Sequence, residues 1–277
     1  MILSRPYTTK IITPAILIAI YFYYIYISMI KPHLHKVLFS VLFITSMLVA
    51  RAQDKITFIA PDRLLVTGDL YFVNDTLPYM ILCHDAKSSR GEYKEIAHRF
   101  NKLGYNCIAI DLRVGGTSNG IENETVEMAN VKHMSPKLID SKIDIIGAIN
   151  YAFERSNKKI VLVGAGYSAA LAMCVGFTDP RINCVFAFSP ADYYNGALDT
   201  KSVFPKCTIP VFVASSLTDA ASTKAYVAGI PSSKLTLFAP SGGNAHGTDG
   251  LLKSSESNHD YWLSILMYIH QIQGGGQ

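Results

Sequence analysis

Val161-Leu162-Val163-Gly164-Ala165-Gly166-Tyr167-Ser168-Ala169-Ala170 is an apolar run that passes through small residues into a helix-forming segment. A strand that turns over small residues straight into a helix makes an elbow, the device that lifts a nucleophilic side chain above the end of a sheet. In the pattern G-x-S-x-G the central position falls on Gly166, which has no side chain to attack with. The elbow holds that position in a strained backbone conformation that glycine adopts at little cost. Scaffold and chemistry therefore give different answers within ten residues.

Outward from the elbow, strands and helices alternate. Upstream, Ile56 to Ile59 and Leu64 to Val73 alternate apolar and polar residues like an edge hairpin. Tyr79 to Cys83 is a continuous apolar run, as in a strand buried on both faces, and it ends at His84-Asp85. Ser89-Arg90-Gly91-Glu92 reads as a capping box opening a helix through Ile96, Phe100 and Leu103 that stops at Gly104. Strand Cys107 to Asp111 follows, then a long polar excursion from Leu112 to Lys137 containing Gly115-Gly116-Thr117, of a length more often functional than idle. A helix over Leu138 to Phe153 leads to the strand of the elbow. Beyond the elbow come a helix from Ser168, strand Cys184 to Phe188, a short connection Ala191 to Lys206, strand Val211 to Ala214, a helix near Ala220 to Ala228, strand Leu235 to Ala239, and a closing helix from about Asp260 to Ile269. The order predicts an α/β fold: a doubly wound, mostly parallel sheet of about eight strands with right-handed crossovers and a short or absent lid.

The first 52 residues differ in kind. They carry five Lys or Arg and no acid, and without them the chain holds 20 basic and 21 acidic residues, so its net charge of +4 belongs to the head. Nothing in that balance indicates a nucleic-acid partner. Ile11 to Ile30 is an apolar run of twenty residues interrupted by Pro14 and four tyrosines. From Met29, a basic stretch, an apolar stretch over Val37 to Val49 and Ala50-Arg51-Ala52 have the layout of an export signal cleaved before Gln53. The expected organisation is an upstream extension or membrane segment over 1–28, a signal peptide over 29–52 and one domain over 53–277. Export is the expected fate, with a membrane anchor over residues 11–50 as the alternative and no other membrane contact. The five cysteines, Cys83, Cys107, Cys174, Cys184 and Cys207, are odd in number and lack C-x-x-C spacing, which argues against a disulfide framework or a zinc site. Tyr261, Trp262 and Tyr268 read as core or surface aromatics and not as a ligand cage, and Asn74-Asp75-Thr76 and Asn123-Glu124-Thr125 match the glycosylation tripeptide, which is common by chance.

With the elements placed, His84-Asp85, Asp111-Leu112-Arg113-Val114-Gly115-Gly116, the elbow, Ser216-Leu217-Thr218-Asp219 and Ala245-His246-Gly247 fall in the order found in the α/β-hydrolase superfamily. Cys83-His84-Asp85-Ala86, Ser89-Arg90-Gly91-Glu92-Tyr93 and the Gly-x-x-Tyr-Ser-Ala of the elbow resemble bacterial dienelactone-hydrolase-type members, over residues 55 to 272. The resemblance implies His246 as catalytic base, Asp219 as the acid that orients it, and Gly166 in the nucleophile position. It also implies an oxyanion hole from the main-chain N–H of Tyr167 with one from Asp85 or Ala86, His84 as a shaper of its loop, and neither metal nor other cofactor. Ser168, two positions on and turned roughly 200° round the helix, is the weak alternative nucleophile. The expected function is that of an ester-hydrolase scaffold that has lost its attacking atom, is inactive or strongly impaired, and binds a small ester-like ligand. The rivals are an active hydrolase using His246-activated water or Ser168, and an envelope interaction protein. Substrate identity and oligomeric state are not legible.

Overall fold

The computed structural model describes residues 18–26 and 53–274. Two compact units divide the chain, Met1–Ala52 and Gln53–Gln277. In the first, the described residues form a helix, α1, over 18–26, whose tyrosines and isoleucines are largely exposed. Among the described residues no helix is long and apolar enough to cross a membrane. The export signal and most of the apolar run from Ile11 lie outside the described residues.

The second unit is built on one eight-stranded sheet. Its strands are β1 (Asp54–Ile59), β2 (Leu65–Tyr71), β3 (Tyr79–Cys83), β4 (Asn106–Ile110), β7 (Ile160–Ala165), β8 (Ile182–Phe188), β9 (Val211–Ala214) and β10 (Leu235–Phe238), in the spatial order β1-β2-β4-β3-β7-β8-β9-β10. Only β1 with β2 and β2 with β4 run antiparallel; every other pair is parallel. The interior strands β3, β4 and β7 are buried along their whole length, which is why their sequences are unbroken apolar runs.

Helices cover both faces. Helix α3 (Glu124–Val131), α4 (Lys142–Ser156) and α5 (Tyr167–Gly176) pack on one side, with Ala129, Ile145, Ile149 and Leu171 in a core shared with Ile81, Ile108 and Leu162. Helix α2 (Ile96–Lys102) and α8 (Asn258–Gly274) pack on the other, where Phe100, Trp262 and Ile265 meet Leu82, Val163 and Phe186. Each fully buried side chain of this size contributes about 1.5–3 kcal/mol against leaving it in water. Tyr261, Trp262 and Tyr268 are core residues. All five cysteines are free, Cys174 partly exposed and the rest buried.

The excursion after β4 departs from the expected bare loop: it holds a two-stranded hairpin, β5 (Thr117–Ser118) with β6 (Ile121–Glu122), and then α3. Asn123 caps α3 by accepting the Val126 N–H and is itself buried. The expected capping box is only half present. Ser89 Oγ accepts the Gly91 N–H, but Glu92 turns away and takes the N–H of Asp85 instead. The remaining helices, α6 (Thr200–Val203) and α7 (Ala220–Tyr226), are short, and the stretch from Ala191 to Lys206 forms no domain-sized lid.

Candidate active site

The parallel register sets the site. Leu82 lies beside Val163 and Cys83 beside Gly164, so the residues that follow β3 arrive next to the elbow at the end of β7. Gly164 must lack a side chain, because a Cβ there would stand 2.6 Å from the Ala169 backbone. Gly166 has φ +53 and ψ −120, the strained conformation an elbow demands.

The space above Gly166 is filled. A Cβ on Gly166 would overlap both oxygens of Asp85, so the Asp85 carboxylate occupies the volume that a nucleophile on the elbow would use. Its Oδ1 accepts the Ala86 N–H at 2.7 Å and the Tyr167 N–H at 3.3 Å. These are the two donors expected to form the oxyanion hole, and this chain's own carboxylate holds both. The Asp85 N–H is not a third donor, since it goes to Glu92 Oε2 at 3.0 Å. Burial raises the Asp85 pKa, but the His246 contact and the two N–H donors outweigh it, and the carboxyl sits below its ordinary value.

His246 reaches the same place from the loop after β10. Its Nε2 lies 3.4 Å from Asp85 Oδ2 and 3.4 Å from the Tyr193 hydroxyl. The hydrogen bond with Asp85 raises the imidazole pKa above its ordinary value despite partial burial. Asp85 is 29% exposed and His246 48%, so both are open to a ligand. The loop is pinned from below: Gly247 N–H donates to Ser189 Oγ at 2.9 Å, and Ser189 holds the left-handed φ of +53 that puts it there. Thr248 Oγ1 donates to Glu92 Oε1 at 2.5 Å, tying the same loop to the residues after β3. Burial pushes the Glu92 carboxyl up to about 7, against the donors that favour its ionised form.

The expected acid does not reach the imidazole. Asp219 stands at the start of α7 with its N–H bound to Ser216 Oγ, and its carboxylate makes no hydrogen bond to His246. It acts on the imidazole only as a weaker, through-space charge. Ser168 is fully buried; its hydroxyl donates to the Cys83 carbonyl at 2.7 Å and accepts the Ala165 N–H at 3.0 Å, which ties the elbow to β3 and aims the oxygen away from His246. His84 shapes its loop. Its Nε2 accepts the Leu112 N–H at 2.9 Å, so Nδ1 carries the proton and donates to the Asp85 carbonyl at 2.8 Å, while burial lowers its pKa to about 4 and keeps it neutral.

Two buried arginines hold clusters of carboxylates in the same unit, outside the cavity lining. Arg90 bridges Asp69, Asp111 and Glu124, and Arg113 bridges Asp62 and Asp144. Around Asp85 and His246 lies a cavity of about 510 Å³ lined by Asp85, Thr117, Ser118, Tyr193 and His246 among others. Among the described residues no cluster of His, Cys, Asp and Glu has metal-binding geometry. Sequence reasoning missed Glu92, Ser189 and Tyr193. Glu92 was hidden by the capping-box pattern it also satisfies; no sequence signal marks the other two.

No family model and no curated protein matches the chain. Solved structures do. The chain is similar to the esterase Pf2001 of Pyrococcus furiosus, with a TM-score of 0.56 and 15% identity over 79% of this chain and 92% of that one. It is similar to a Klebsiella pneumoniae protein assigned as a dienelactone hydrolase, with a TM-score of 0.59 and 13% identity over 80% and 100%. It is also similar to 2,6-dihydroxy-pseudo-oxynicotine hydrolase, with a TM-score of 0.61 and 13% identity over 83% and 70%. At these identities the likeness is one of fold.

Proposed function

We propose, for a chain that has the α/β-hydrolase fold, an ester-hydrolase ancestry from which serine-type acyl transfer has been lost, leaving a pocket that takes a small polar molecule against Asp85 and His246. The observation that carries this reading is the Asp85 carboxylate, which fills both the nucleophile's volume and the oxyanion hole. An acyl substrate entering the pocket would find no attacking oxygen at Gly166 and no free pair of N–H groups for its tetrahedral oxyanion. Loss of a nucleophile costs about 10⁶ in turnover where measured, and loss of one hole donor costs a further 10²–10³.

The test is hydrolysis of p-nitrophenyl acetate, with labelling by a fluorophosphonate, across a graded set of variants. The native protein should be silent and unlabelled. Gly166→Ser alone should stay silent, because Asp85 blocks the new side chain and holds the hole. Gly166→Ser combined with Asp85→Ala should turn over and be labelled at residue 166, and adding His246→Ala should abolish the turnover. Serine labelling of the native protein would overturn the reading. The proposal includes export by the segment 29–52, checked by N-terminal sequencing of the exported protein, which should begin at Gln53.

A further inference from the structure

Asp85 is not merely an obstruction. Its two oxygens are used differently: Oδ1 is held by two backbone N–H groups, while Oδ2 faces the cavity and the imidazole. The nitrogen facing it is Nε2, the one an elbow nucleophile would meet in a triad, so Asp85 stands on the nucleophile's side of His246.

Chemistry decides what such a carboxylate can attack. At an acyl carbon it would form an anhydride, which lies above the starting ester and falls back. At a saturated carbon with a strained leaving group it forms an ordinary ester, which persists until water cleaves it. Carboxylates are established covalent nucleophiles in enzymes. We propose that Asp85 is the nucleophile of this site and that it opens small epoxides, giving a diol through an ester on its own side chain. This inference rests on the reading that serine chemistry is gone.

The steps balance with the residues present. Asp85 Oδ2 bonds to a ring carbon, the carbon–oxygen bond of the epoxide breaks, and the departing alkoxide takes the proton of the His246 imidazolium. Forming the ester removes the carboxylate charge that held that proton, so His246 is left neutral and able to act as a base. It then takes a proton from water, whose oxygen adds to Cγ of Asp85. The negative charge of that adduct falls on Oδ1, where the Ala86 and Tyr167 N–H groups already point. Collapse breaks the bond from Cγ to the substrate oxygen, and the hydroxyl proton on Cγ passes to the leaving alkoxide. Carboxylate and imidazolium are restored, and the sum is epoxide plus water to diol. A cavity of about 510 Å³ with Thr117, Ser118 and Tyr193 on its wall fits a short substrate with a hydroxyl group.

Glycidol is the probe. The native protein should convert it to glycerol. In H₂¹⁸O the first turnover should deliver glycerol with unlabelled oxygen from Asp85, leaving ¹⁸O in the Asp85 carboxyl. His246→Gln should slow both steps and the second far more, since water can still protonate the departing alkoxide but no base remains to activate water against the ester. One glyceryl ester should therefore build up on Asp85, located by peptide mass and released by hydroxylamine. Asp85→Asn should lower turnover by about three orders of magnitude or more. Label appearing directly in first-turnover glycerol would overturn the proposal, as would turnover without an Asp85 ester in His246→Gln, or absence of both turnover and adduct with glycidol and with 1,2-epoxybutane. Fluorophosphonate labelling of the same preparations reads the loss of serine chemistry separately, so either idea can fail alone.

Discussion

At the scale of single residues the site reduces to a carboxylate and an imidazole that hold each other. His246 keeps its proton more firmly because Asp85 is ionised beside it. Asp85→Asn removes that charge while keeping an oxygen for the backbone N–H groups, so the imidazole pKa should fall, followed by the His246 ring proton shift in an NMR titration. An unchanged midpoint would mean that the contact does not form in solution. Gly166→Ser meets two obstacles, the left-handed φ of +53 and the Asp85 carboxylate in the volume of the new Cβ. It should destabilise the fold by about 1–3 kcal/mol, measured by urea denaturation, and Asp85→Ala should recover part of that. Gly166 and His246 were legible in the sequence because each sits in a motif with fixed spacing. Asp85 was legible only as a backbone donor, since nothing in His84-Asp85-Ala86 says that the side chain swings over the elbow.

At the scale of elements, the strands were readable and the excursion after β4 was not. Tyr79–Cys83 and Ile160–Ala165 are buried on both faces, and burial on both faces writes itself as an unbroken apolar run. Helix α3 escaped because Glu124–Val131 has a weak apolar stripe, and its start is set by tertiary partners of Asn123. That residue accepts the Val126 N–H and donates to the Leu112 carbonyl, so one side chain joins helix to strand end. Asn123→Ala should cost about 1–2 kcal/mol, somewhat more than a surface cap, because a buried carbonyl also loses its donor. Thermal unfolding of the variant against native checks it. Asp219 stays apart from the imidazole for a related reason: it arrives on the right element, but the turn from Ser216 to Asp219 is tied to itself.

At the scale of the whole molecule, two segments far apart in sequence are joined through Glu92, which links the residues after β3 to the loop of His246. Its folded pKa of about 7 lies above the ordinary 4.5. The native state therefore binds more protons than the unfolded chain between those values, and stability rises with acidity there. The contribution is complete below about pH 4.5 and lost as pH rises through about 7. Solvent reaches part of the Glu92 side chain and screens its charge, so the loss should be about 1–2 kcal/mol. Glu92→Gln should flatten that part of the curve, seen as a changing gap from native stability between about pH 5 and pH 8 in chemical denaturation. Parallel curves would uncouple Glu92 from folding.

The contact between Asp85 and the elbow also makes positions 85 and 166 answer to each other. Placing a serine at position 166 is one substitution, yet it meets a carboxylate already standing in its place. Clearing that carboxylate first removes the charge that holds the proton on His246. The two positions therefore form one unit, and neither can be exchanged without disturbing what the other does.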